Sequence, residues 1–129
     1  LLVYPVLDSG VSTESMKKFV DTPVWNSILN RKMWQLYLPE KVDGQNAQYV
    51  SPASASDLSN MPPTYIQTAE FDCLHDEGVA FADALESAGN SVALDETKGT
   101  VHGFDMASHS TITATAVNNR ISFLNQIFE

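Results

Sequence analysis

The sequence predicts an α/β fold, a parallel sheet of about three strands with helices packed on its faces. Three observations carry this. Short apolar or β-branched runs fall at residues 1–8, 64–69 and 91–98, each closed by polar or turn-forming residues. The segments joining them hold apolar residues at helical spacing and are long enough to return the chain in the same direction, as parallel pairing requires. An acidic turn follows the second run and a histidine beside glycine follows the third, at the strand ends where open parallel sheets collect their chemistry.

Taken in order, the first run is Leu1-Leu2-Val3-Tyr4-Pro5-Val6-Leu7, bounded by Asp8-Ser9-Gly10. It has no Met, polar lead-in or basic residue, and reads as a buried strand, not a signal peptide. A domain seldom starts inside its own core, so a piece of a larger protein is expected. Residues 14–21 predict a short helix with Met16, Phe19 and Val20 on one side. Thr22-Pro23 then predicts the start of a second helix, a capping hydroxyl followed by proline at the first position. That helix, over residues 24–38, aligns Trp25, Ile28, Leu29, Met33, Leu36 and Tyr37 as a core-facing stripe and stops at Pro39.

Residues 40–63 are rich in Ser, Asn, Gly, Ala and Pro and predict an ordered loop. The TYIQTA run at 64–69 predicts the second strand. A helix over 76–88 follows, with Asp76 and Glu77 in its first turn, Gly89 past its end, and Val79, Phe81, Ala82, Leu85 and Ala88 as its buried side. The third strand carries Val92 and Leu94 on one face. The last helix, over 111–128, aligns Val117, Ile121, Leu124 and Phe128 as its core stripe.

Composition narrows the function. The chain has 129 residues, 43% hydrophobic and 18% charged, which suits one globular domain. Its net charge of -9, with seven Lys and Arg that form no run longer than two, argues against nucleic-acid partners. No apolar run is long enough for a membrane span. Cys73 is the only cysteine, so no internal disulfide is possible and a cytoplasmic setting is expected.

Asp72 and His102 are the residues with chemistry. Their separation of thirty positions holds one helix and one strand, enough to bring both to the same sheet edge. A carboxylate there accepts the imidazole Nδ1–H, fixes its tautomer and steadies the imidazolium, leaving the other nitrogen as a general base. Gly103 allows a sharp turn beside the ring.

These segments resemble the C-terminal half of an α/β-hydrolase of the hormone-sensitive-lipase-like branch, the branch of bacterial carboxylesterases, acetyl esterases and lipases. LLVYPVLD resembles that fold's sixth strand, and PVWN with MWQLYL its following helix and cap region. YVSPASASDLSNMPPTYIQTAEFDCLHDEG resembles the family run SP…DL…LPP…AE-x-D-P-L-R-D-E-G, and KGTVHGF resembles its histidine loop. Cys73, His75 and Met61 depart from the usual Pro, Arg and Leu.

On this resemblance, residues 1–129 are a C-terminal fragment: a strand at 1–8, cap-region helices at 14–38, acid- and histidine-bearing strands and loops at 64–105, and a C-terminal helix at 111–128. It implies that Asp72 is the triad acid and His102 the triad base in hydrolysis of short-chain acyl esters. It also implies that Trp25, Met33, Trp34 and Phe104 are pocket walls. Glu70, Asp76 and Glu77 match acidic positions expected to hold the turn and helix start. The family's G-x-S-x-G elbow and HGG-type oxyanion loop do not occur in the sequence, Gly10-Val11-Ser12-Thr13-Glu14 being the nearest string. These residues alone are therefore expected to be inactive.

A small-ligand receptor built on the same fold, and a non-catalytic truncated product, are the alternative readings. No cofactor or metal is implied: His75, Asp76, Glu77 and His102 show no ligand spacing. His75 and His109 read as solvated surface histidines. Cys73 is a poor nucleophile, because the neighbouring carboxylate raises its pKa. The expected partners are a small ester substrate and a second copy of the chain, joined as a homodimer through apolar surface left open.

Overall fold

In the computed structural model, which describes residues 1–38 and 46–128, the elements run β1 (Leu2–Val3), α1 (Glu14–Lys18), α2 (Ser27–Tyr37), α3 (Ala47–Val50), β2 (Thr64–Ala69), α4 (His75–Ser87), β3 (Val92–Thr97) and α5 (Thr111–Phe128). The three strands pair in parallel in the order β1-β2-β3. Leu2 stands beside Ile66, and the β2–β3 register runs from Thr64 beside Val92 to Ala69 beside Thr97. The second strand, expected at 64–69, forms over those residues, and all six are buried.

Alternation along β2 sends its side chains to two different layers. Ile66 and Thr68 face α4, where Ile66 joins Leu7, Phe81, Ala82 and Leu85 in a core cluster. Gly78 is what permits this approach, since a Cβ there would stand 2.6 Å from Thr68 Cγ2. Tyr65 and Gln67 face α5, where Tyr65 packs on Phe123 with ring centroids 5.5 Å apart.

The first strand is shorter than the apolar run at 1–8 suggests. Pairing stops after Tyr4 N–H donates to the Gln67 carbonyl at 2.9 Å, because Pro5 offers no further donor and Tyr4 itself turns to φ 48. The second helix also starts later than Thr22-Pro23 predicts. Asn26 caps it, its side chain accepting from Leu29 N–H at 3.1 Å, while the Thr22 hydroxyl donates to the Trp25 carbonyl. Pro39, the expected stop, lies outside the described residues, as does part of the expected loop; the rest of that loop holds α3 and a tight turn at Pro52–Ser54.

Two expected core stripes do not meet the core. In α2 the buried residues are Ser27, Asn30 and Trp34, whereas Ile28, Leu29, Leu36 and Tyr37 are exposed. In α5 the buried residues are Thr113 and Ala116, whereas Val117, Ile121, Leu124 and Phe128 are exposed. The reason is the same in both helices. The buried side of each helix carries hydrogen-bonding side chains: Asn30, beside the buried Trp34, bonds Trp25 and Met16 of α1, and Arg120 and Asn119 bond the sheet. The α4 expectation fares better, with Phe81, Ala82 and Leu85 buried, joined by Glu77 and Gly78.

Candidate active site

The turn after β2 is built by its own acidic residues. Asp72 Oδ1 accepts the Leu74 N–H at 3.0 Å, and the Asp72 carbonyl accepts the His75 N–H at 3.1 Å, which opens α4. Beneath the turn, Met16, Cys73 and Leu74 form a second buried cluster, with Phe19 and Trp25 against it. The turn is also tied to the loop after β3. Phe71 N–H donates to the Thr100 carbonyl at 2.8 Å, and Gly99 N–H donates to Glu70 Oε2 at 2.7 Å. Gly103 adopts φ 70, a left-handed conformation that glycine takes freely, and so reverses the chain beside His102.

These ties bring Asp72 and His102 together. His102 Nδ1 stands 2.7 Å from Asp72 Oδ2, with the carboxylate side chain 1% exposed and the imidazole 21% exposed. A buried carboxylate that already accepts a backbone N–H has its second oxygen committed to the imidazole, which selects the tautomer bearing a proton on Nδ1. Among the described residues, His102 Nε2 makes no hydrogen bond. The pair can therefore accept a proton at Nε2 and hold the resulting charge.

Two aromatic rings stand against the imidazole: Tyr4, with centroids 4.9 Å apart, and Trp25, at 5.9 Å. The sequence reading did not single out Tyr4. Its signal was available, since the Tyr-Pro step ends the first strand at the same sheet edge that carries Asp72. Trp25 is fixed from the other side by Asn30, whose Oδ1 accepts its indole N–H at 3.3 Å.

Trp25 also borders a cleft of about 350 Å³ lined by Val6, Trp25, Met33, Trp34, Tyr37, Tyr49, Val50 and Pro52. Three of the four expected pocket residues, Trp25, Met33 and Trp34, thus share one apolar cleft, which Trp25 links to His102. The fourth, Phe104, does not line it. Because Gly103 turns the chain away, Phe104 packs edge-on against Tyr4 at 5.7 Å instead.

The remaining acidic and histidine side chains hold the frame. Asp76 Oδ2 accepts the Ser15 N–H at 2.7 Å; burial works against its charge, but hydrogen bonds from His75 and from Ser15 outweigh it and keep its carboxyl below the usual range. Glu77 Oε1 accepts the Leu7 N–H at 2.7 Å, and burial pushes its carboxyl up to about 7. His75 is not a solvated histidine. Its Nδ1 meets Asp76 at 2.9 Å and its Nε2 meets Glu96 at 3.0 Å, joining the start of α4 to β3. His109 is exposed, as expected. Burial, and then the charge of Asp72, push the Cys73 thiol up to about 12, which removes it as a nucleophile near neutral pH.

A parallel sheet with helices on both faces and an acid–imidazole pair at its carboxyl edge defines an α/β protein with hydrolase-type geometry. The family model for the alpha/beta hydrolase fold matches residues 1–106, and the chain belongs to that family. Carboxylesterase NlhH of Mycobacterium tuberculosis is 35% identical over an alignment of 111 residues that covers 81% of this chain and 33% of that protein. Ethyl acetate hydrolase of Pseudomonas putida is 32% identical over 104 residues, 81% of this chain and 32% of that protein. Among solved structures, a bacterial heroin esterase superposes with a TM-score of 0.88 at 36% identity, covering 94% of this chain and 39% of its own. The chain thus spans about a third of the length of the curated relatives it matches. Among the described residues, no helix is long and apolar enough to cross a membrane.

Proposed function

We propose that the protein containing this chain hydrolyses small carboxylic esters by a Ser-His-Asp mechanism, with the serine and the oxyanion hole supplied outside these 129 residues. His102 takes the serine proton at Nε2 during acylation and returns it to the leaving alcohol; Asp72 orients the ring and stabilises the imidazolium. The observation that carries this reading is the 2.7 Å contact of His102 Nδ1 with the buried Asp72 carboxylate. The cleft of about 350 Å³ beside Trp25 supports a short apolar acyl chain, because its lining carries no charged side chain. The names of the relatives, a carboxylesterase and an ethyl acetate hydrolase, favour the same substrate class. Without a nucleophile these residues by themselves turn nothing over. A cytoplasmic setting is part of this proposal, and the one cysteine of these residues, buried and unpaired, supports it.

The test is turnover of p-nitrophenyl acetate and butyrate by the intact protein and two variants. His102→Ala is expected to lower kcat by about 10⁴-fold or more, and Asp72→Asn by about 10⁴-fold. Undiminished turnover in the His102 variant overturns the mechanism. Ester binding without turnover by the intact wild-type protein makes it a ligand-binding member of the fold instead.

A further inference from the structure

Arg120 lies outside the residues matched by the family model, on the side of α5 turned toward the sheet. Its guanidinium is shared between two elements. Nε donates to Gln67 Oε1 at 2.9 Å, Nη2 donates to the same oxygen, and Nη1 donates to Asp105 Oδ2 at 2.9 Å. Gln67 is fully buried on β2, the strand that leads into Asp72, and its own amide nitrogen is held by Asp95 Oδ2 at 2.8 Å. Asp105 stands in the turn that follows His102 and Gly103. One planar cation therefore ties the strand carrying the acid to the loop carrying the imidazole.

The arrangement around Arg120 is specific. Apolar packing alone does not set the orientation of α5: it makes one aromatic contact with the sheet, Phe123 on Tyr65, while its apolar stripe is exposed and the residues it buries are Thr113 and Ala116. A polar seam sets it: the Thr113 hydroxyl donates to the Phe104 carbonyl at 3.3 Å, Asn119 donates to Asp95 at 3.1 Å, and Arg120 bridges Gln67 and Asp105. Every contact of this seam falls on the histidine loop or on the two strands beside it. A guanidinium presents several N–H groups in one fixed plane, so it constrains two partners at once in a way an ammonium does not.

We propose that Arg120 is a positioning residue: by bridging Gln67 and Asp105 it sets the separation of His102 from Asp72. The proposal rests on the reading of Asp72 and His102 as the catalytic pair. In the intact protein, with p-nitrophenyl acetate as probe, Arg120→Ala lowers kcat by about 10-fold or more and changes KM by less than about twofold. The low-field proton resonance of the His102 Nδ1–H bonded to Asp72, assigned by its loss in His102→Ala, broadens or vanishes in the same variant.

Asp105→Ala produces the same losses, and the double variant loses no more than either single one. Arg120→Lys, which keeps the charge without the planar fork, recovers part of kcat. The proposal is overturned by an unchanged resonance and kcat in Arg120→Ala, or by additive losses in the double variant. If Arg120→Ala does not fold, Asp105→Ala decides by the same two readouts. Turnover surviving in His102→Ala would sink the catalytic reading instead. The resonance needs no substrate, so it still reports whether Arg120 holds the pair.

Discussion

Helices α4 and α5 both cover the central strand, yet they do so by opposite means. The α4 helix buries Phe81, Ala82 and Leu85 against Ile66, and Gly78 lets its backbone close on Thr68. The α5 helix meets the other face of that strand through Thr113, Ala116, Asn119, Arg120 and Phe123, and leaves Ile121 49% and Phe128 83% exposed. Apolar periodicity marks a helix equally well in both. It shows which side of the helix avoids water, but it does not name the surface that covers that side. In α4 this surface is the sheet of this chain; in α5 the sheet takes the polar seam, and the apolar stripe is open.

The largest effect expected from this contrast is on stability. Leu85→Ala empties a fully enclosed position in the α4 layer and is expected to cost about 2–5 kcal/mol, read as a lowered urea midpoint. Leu124→Ala, on the open stripe of α5, is expected to stay within about 0.5 kcal/mol when measured on the dilute monomer. Equal losses at the two positions in the dilute monomer would break the comparison.

A second, pH-dependent effect separates the α4 layer further. Burial raises the folded-state pKa of Glu77 to about 7, above its ordinary value of 4.5. The stability tied to its protonated form is complete below the ordinary value and is lost as pH rises through the raised one. Between about pH 4.5 and 7 the protein is therefore expected to lose up to about 3 kcal/mol on this account. Glu77→Gln should flatten that slope in urea melts taken at a series of pH values. A wild-type curve already flat over the window would contradict the assignment.

The smallest expected effect concerns the open stripes themselves. Ile28, Leu36 and Tyr37 on α2, with Ile121 and Phe128 on α5, give the 129-residue chain exposed apolar surface that a second copy would cover. Sedimentation is expected to show a dimer that Ile121→Glu and Leu36→Glu weaken. A well-folded monomer at all concentrations would remove this proposal.

Much of the candidate site was legible in the residues. The TYIQTA run gave the strand, Asp72 and His102 followed their strands at the spacing that returns a chain to one edge, and Gly103 marked the reversal. Trp25, Met33 and Trp34 line one cleft, although Trp25 precedes the helix that was expected to carry it. Other parts were not legible, because they depend on partners distant in the chain. Tyr4 reaches His102 only because Pro5 ends the first strand there. His75 looks like a surface residue until Glu96 on the neighbouring strand is seen to meet it. Arg120 lies in a helix whose apolar stripe drew attention away from its polar side.

By itself, then, the sequence determined what local physics controls: which segments become strands and helices, where the acidic turn and the histidine loop fall, and that the strands run parallel. Tertiary structure decided which face of each helix met the sheet, that Phe104 turns to Tyr4 and away from the cleft, and that Asp72 and His102 close to 2.7 Å. The reason is that periodicity and turn chemistry act within a few residues. Burial, ion pairing and hydrogen bonding between strands are properties of surfaces that exist only once the chain has folded.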